Sequence, residues 1–127
     1  MLKKTLPLLI LPLLAGCAAQ ITNLTPRQQT RNSNNLYPVE VAFNSQEQAL
    51  RWDSIKPKIV VDGQSYDMHP TMMMTNRWEG FIRVPQGVET VKYHFRFDYE
   101  YNSFGKPKPD TINSPEYTLH ITDRSAR

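Results

Sequence analysis

An all-β fold, a single antiparallel two-sheet β-sandwich, is what this 127-residue sequence predicts. Three observations carry that prediction. Residues 90–101 place Val91, Tyr93, Phe95, Phe97, Tyr99 and Tyr101 on one parity and Lys92, His94, Arg96, Asp98 and Glu100 on the other, the period-two pattern of a half-buried strand. Asp62 and Gly63, a pair favoured in type I′ turns, separate two extended arms at residues 59–61 and 64–68. Similar short patterns recur with turn signals between them, and about seven or eight strands in about 100 residues make two packed sheets.

Taken in order, residues 21–24 followed by Pro26 suit a short edge strand, where a missing amide donor does no harm. The remainder of residues 17–35 is rich in Gln, Asn, Thr and Arg and reads as a tether. The sandwich is expected over residues 36–123, with 124–127 as a tail. Val39, Val41 and Phe43 alternate with Glu40, Ala42 and Asn44 in its first long strand. Residues 46–52 hold Ala49, Leu50 and Trp52 among polar neighbours, which suits one turn of helix or an irregular crossover. Residues 78–84 set Trp78, Gly80, Ile82 and Val84 on one face and Glu79, Phe81 and Arg83 on the other.

The strand at 90–101 spans about 40 Å at about 3.3 Å per residue, well beyond an ordinary strand. Its far end is therefore expected to overrun the sandwich and leave Tyr99 and Tyr101 near a rim. Residues 102–114 then read as a loop, stiffened by Pro107 and Pro109, and Tyr117, Leu119 and Ile121 as a last strand beside the long one.

Residues 1–16 stand apart from this pattern. Lys3 and Lys4 precede an apolar stretch at 5–15 that contains Pro7 and Pro12 and is too short for a span, which needs about 20 apolar residues. A cleaved export signal fits that length. The run Leu14, Ala15, Gly16 and Cys17 resembles a bacterial lipobox. That resemblance implies cleavage before Cys17, diacylglycerol on its thiol and an acylated amino terminus. Ala18 stands where an Asp would imply retention at the inner membrane, so the resemblance implies an outer-membrane lipoprotein whose domain faces the periplasm. In a single-membrane bacterium it implies the outer face of the plasma membrane.

Losing Lys3 and Lys4 from the 15 basic residues brings them close to the 12 acidic ones, and no basic run remains, so nucleic acid is not an expected partner. Cys17 is the sole cysteine, so no disulfide forms within the chain and stability must come from packing.

The order of strands resembles an immunoglobulin-like or fibronectin type III-like sandwich. Val84, Pro85, Gln86 and Gly87, leading through Thr90 to Tyr93, resemble the turn and tyrosine corner that open the penultimate strand of those folds. No catalytic set accompanies this frame. His69, His94 and His120 fall on separate elements without a nucleophile elbow, zinc-protease motif or phosphate loop, so no enzyme and no cofactor is expected.

Met68, His69, Met72, Met73 and Met74 form the most unusual local composition. Thioethers and imidazole suit Cu(I), but methionine also fills irregular cores, and packing is favoured because a recognised ligand spacing is absent. Asp98, Glu100 and Asp110 could meet calcium, although alternate strand residues more often make a solvated face. Trp78 and the aromatic strand faintly resemble starch- and glycogen-binding modules, against which the core's own demand for large rings weighs. The expected function is a lipid-anchored, non-catalytic interaction module of the envelope, bound to the membrane by lipid and to another envelope protein. Its partner surface is expected at Tyr99, Tyr101 and Phe104, and the alternative is a ligand-binding lipoprotein, for carbohydrate or for Cu(I) through the Met-rich segment.

Overall fold

The computed structural model describes residues 19–123, which fold into strands and turns with no helix. The expected signal segment, Cys17 and the expected tail at 124–127 lie outside the described residues. In chain order the strands are β1 (Ala19–Asn23), β2 (Gln28–Thr30), β3 (Leu36–Ser45), β4 (Leu50–Val61), β5 (Gln64–Asp67), β6 (His69–Pro70), β7 (Arg77–Arg83), β8 (Thr90–Ser103), β9 (Lys106–Asn113) and β10 (Tyr117–Thr122). One sheet runs β1-β3-β7-β6 and the other β2-β10-β8-β4-β5, with β9 alongside the outer half of β8. The expected β-sandwich is therefore present. It is not wholly antiparallel, because the chain changes sheets after β1 and lays β2 parallel to β10.

The inward parities meet as the alternation predicts. Tyr37, Val39, Val41 and Phe43 of β3, Ile59 of β4, Trp78 and Ile82 of β7, and Phe95 and Phe97 of β8 are all buried. Phe43 stacks on Phe97 across the two sheets with centroids 4.7 Å apart, and Trp78 meets the same Phe97 edge-on at 5.7 Å. Offset and edge-on pairs of this kind add to what burial alone contributes. Gly80 lets the two sheets approach closely on the inner face of β7, because a Cβ there would lie 3.0 Å from Ile59 Cδ1 and that side chain would have to shift. Asp62 and Gly63 turn with φ of 53° and 77°, the type I′ hairpin their sequence favours.

Four expectations change. Residues 46–52 hold no helical turn, and of the two forms expected there the irregular crossover is the one found, at 46–49, joining β3 of one sheet to β4 of the other. Leu50 N donates to Glu47 O at 3.3 Å to close a tight turn, after which Leu50 pairs with Tyr101 and begins the long β4. β4 then bulges. Arg51 faces Glu100 and Lys56 faces Asp98, so Trp52, Asp53, Ser54 and Ile55 stand opposite Tyr99 alone. Ser54 Oγ makes up for the broken ladder, accepting from Glu100 N at 2.8 Å and donating to Arg51 O at 2.6 Å.

The expected loop at 102–114 is largely strand β9. Its prolines are compatible with pairing because Asn102 and Glu100, opposite Pro107 and Pro109, turn their amides towards β4, to Ala49 O and Ser54 Oγ. The proline nitrogens therefore face the free edge, which the lysines beside them also guard against pairing with other chains.

The edge strand expected at residues 21–24 is present as β1, paired with β3 from Ala19 opposite Ser45, but the remainder read as a tether is built into the sandwich, where buried Thr25 accepts from Glu40 N at 2.9 Å and donates to Glu40 O at 3.1 Å and β2 pairs with β10. Finally, the corner expected at Tyr93 takes another form, since its hydroxyl accepts from Asn23 Nδ2 at 2.9 Å and fastens β1 instead. Tyr37 makes the short-range bond, accepting from Asn32 N at 3.0 Å.

Candidate functional site

Two regions of the surface expose large apolar side chains in concert. The first is the end of the sandwich where β1 begins, β3 ends, β4 begins and β8 ends. Ser45 lies opposite Ala19, the turn at 46–49 leads into Leu50, and Asn102 N donates to Ala49 O at 2.8 Å, so the β8–β9 hairpin tip lies beyond that end. The loop between β6 and β7 arrives there too, with Asn76 O accepting from Phe43 N at 3.0 Å.

The three residues expected to form a partner surface divide here. Tyr99 is half-buried, its ring 6.1 Å from Phe43 and its hydroxyl donating to Asp110 Oδ2 at 3.2 Å. Burial first, and the Asp110 carboxylate second, push its pKa up to about 12. Tyr101 is also half-buried, between Leu50 and Lys108 on the neighbouring strands. Phe104 is different. It sits at the hairpin tip at 103% exposure and does not fold back onto the core. Trp52, from the β4 bulge, is exposed at the same end, its ring centroid 6.1 Å from that of Phe43 in an edge-to-face arrangement.

The methionines divide as well, and the packing expected of them holds for one. Met68 is 6% exposed and belongs to the core, whereas Met72 and Met73 are 84% and 95% exposed and Met74 is exposed beside them. They lie on a tight turn in which Met74 N donates to Thr71 O at 3.1 Å and Met73 takes a φ of 66°. Composition pointed to core filler, but the turn aims these side chains outwards. Met68→Ala should cost about 2–5 kcal/mol. Met72→Ser and Met73→Ser should stay within about 0.5 kcal/mol of wild type. Urea denaturation of the three variants separates the two environments.

His69 is exposed on β6, His94 lies on the outer face of β8 and His120 on β10, so the fold does not bring them together. Asp98 bonds to Arg96 and Thr111, and Asp110 to Tyr99 and its neighbour Thr111 N. Among the described residues no group of three His, Cys, Asp or Glu side chains is placed to hold a metal ion.

The second region is the outer face of the four-stranded sheet. Phe81 is 59% exposed and faces Pro38 on β3. With Leu24 and Pro26 they line a groove of about 300 Å³. Glu40 and Glu79 also line it, opposite each other, eased by Arg77 Nη1 at 3.5 Å from Glu40 and by Thr71 Oγ1 at 3.4 Å from Glu79. The outer face of the other sheet is charged by contrast, with Lys58 to Asp67 at 2.8 Å, Arg96 to Asp98 at 3.2 Å and Arg51 to Glu100 at 3.9 Å. Phe81 was not singled out from the sequence, although a phenylalanine on the parity shared by Glu79 and Arg83 was the available signal.

No family model matches the chain, and no curated protein matches it. Among solved structures it is similar to a DUF4785 family protein from Legionella pneumophila, at 9% identity and a TM-score of 0.43 over 81% of this chain. The match spans 28% of that longer chain.

Proposed function

We propose that this chain is a lipid-anchored module of the bacterial cell envelope that binds a partner protein and performs no catalysis of its own. The observation that carries the binding role is the exposed Phe81 ring, which lines a groove with Leu24, Pro26 and Pro38 and with the carboxylates of Glu40 and Glu79. Aromatic rings seated in grooves and rimmed by polar groups are the usual anchors of protein interfaces. The anchor rests on the lipobox resemblance of Leu14, Ala15, Gly16 and Cys17, with Ala18 favouring the periplasmic face of the outer membrane. The sandwich is of the immunoglobulin-like kind in this proposal, supported by the turn at Pro85 and Gly87 that leads into β8.

A photoreactive phenylalanine analogue at position 81, expressed in intact cells, tests the binding role. It should cross-link one discrete partner, and the same probe replacing Val60 on the other sheet's outer face should not. Absence of any adduct from position 81 would refute the assignment of this face.

A further inference from the structure

We infer that the end of the sandwich carrying Phe104 docks on the lipid bilayer, with the Phe104 ring inserted among the headgroups. The inference rests on the anchoring of Cys17 proposed above, which sets the distance. Ala19 already pairs with Ser45, and two residue steps from Cys17 reach at most about 7 Å. An anchor this short leaves little room between the membrane and the end of the sheet where β1 begins.

That end has the surface a bilayer would meet. Phe104, Trp52, Met72, Met73 and Met74 are all exposed on elements that converge there, whereas the opposite half exposes Val88, Tyr66 and Phe81 on three separate elements, the turn joining β7 to β8, the edge strand β5 and the outer face of β7. Lys106 and Lys108 follow Phe104 on β9 and are exposed, placed to meet anionic headgroups. Aromatic side chains favour this interfacial depth.

Backbone conformation supplies an independent argument. Phe104 and Gly105 form a two-residue hairpin turn with φ of 52° and 78°. Asn or Gly is favoured at the first of these positions, and a bulky ring there is held at a cost. With Phe104 fully exposed, packing within the described chain does not offset that cost. A strained, exposed aromatic of this kind points to something outside the chain that receives it.

Full-length chain recovered from membranes and reconstituted into phosphatidylethanolamine–phosphatidylglycerol vesicles tests the inference, with intact mass reporting acylation of Cys17. Phe104→Trp adds an indole to the background of Trp52 and Trp78. Its added emission should shift to the blue and be quenched by lipids brominated near the headgroups, at the depth of about 5–10 Å typical of interfacial side chains. The same substitution at Phe81 should show neither change. An acylated chain whose indole at position 104 stays water-exposed overturns the docking while leaving the anchor intact, and frees the tip for a protein partner. Equal quenching at positions 104 and 81 also overturns it, since the domain would then lie on the membrane without this orientation. An unacylated Cys17 removes the anchor and the inference together.

Discussion

Phe97→Ala should remove a large share of the stability of this domain. Phe97 is fully buried, stacks on Phe43 of the opposite sheet and receives the edge of Trp78, so its ring joins three strands from both layers. Truncating a buried phenylalanine costs about 3–5 kcal/mol, the lost transfer energy plus the cavity left behind. Whole domains retain only about 5–15 kcal/mol, and this one has no disulfide to limit the loss. Urea unfolding should therefore show a much lower midpoint at an unchanged slope. Phe104→Ala, made as the control, should leave the midpoint nearly unchanged, because that ring is fully exposed. Similar losses in the two variants would mean that the hairpin tip belongs to the core.

The second large effect concerns Cys17→Ser, which removes the thiol that the lipobox resemblance makes the acyl acceptor. Each buried CH₂ of an acyl chain contributes about 0.8 kcal/mol of membrane affinity, so two or three chains hold a protein durably and their loss abolishes the attachment. Wild-type protein should remain in the membrane pellet through high-salt and alkaline washes. The variant should accumulate as uncleaved precursor or appear in the soluble fraction. If instead it is processed and pellets as wild type does, Cys17 is not the anchor.

The strands that could be read in advance are those whose side chains face a core on one side and water on the other. β8 declares itself through Tyr93, Phe95 and Phe97, and β7 through Trp78 and Ile82, because burial on one face imposes period two directly on residue type. What escaped is held by the main chain. β2 is a strand of polar residues, Gln28 to Thr30, paired to β10 chiefly through the backbone, with Thr122 Oγ1 donating to Gln29 O at 3.5 Å. β9 looks like a loop because Pro107 and Pro109 are tolerated only when their nitrogens face a free edge, and that direction depends on the partner strand. The start of β4 escaped for a third reason, since the bulge at residues 52–55 interrupts the alternation that would have marked it.

The candidate surfaces follow the same division. Phe104 could be placed at the end of an overlong strand, but its separation from Tyr99 and Tyr101 depends on the hairpin turn and on Tyr99 bonding Asp110 across to β9. Phe81 was visible in the sequence as an apolar ring on a polar parity, yet its significance depends on Pro38, Leu24 and Pro26 gathering around it. Met72 and Met73 carried the opposite ambiguity. A flexible thioether suits a core gap and an exposed turn equally well, and only the tertiary path separates them.

The intact mass of the wild-type protein extracted from cell membranes decides whether the chain is lipid-anchored. The expected species begins at Cys17, lacks residues 1–16, and carries a diacylglyceryl group with a further acyl chain on its amino terminus. A full 127-residue chain, or one cleaved and recovered without any acyl group, would contradict the anchor.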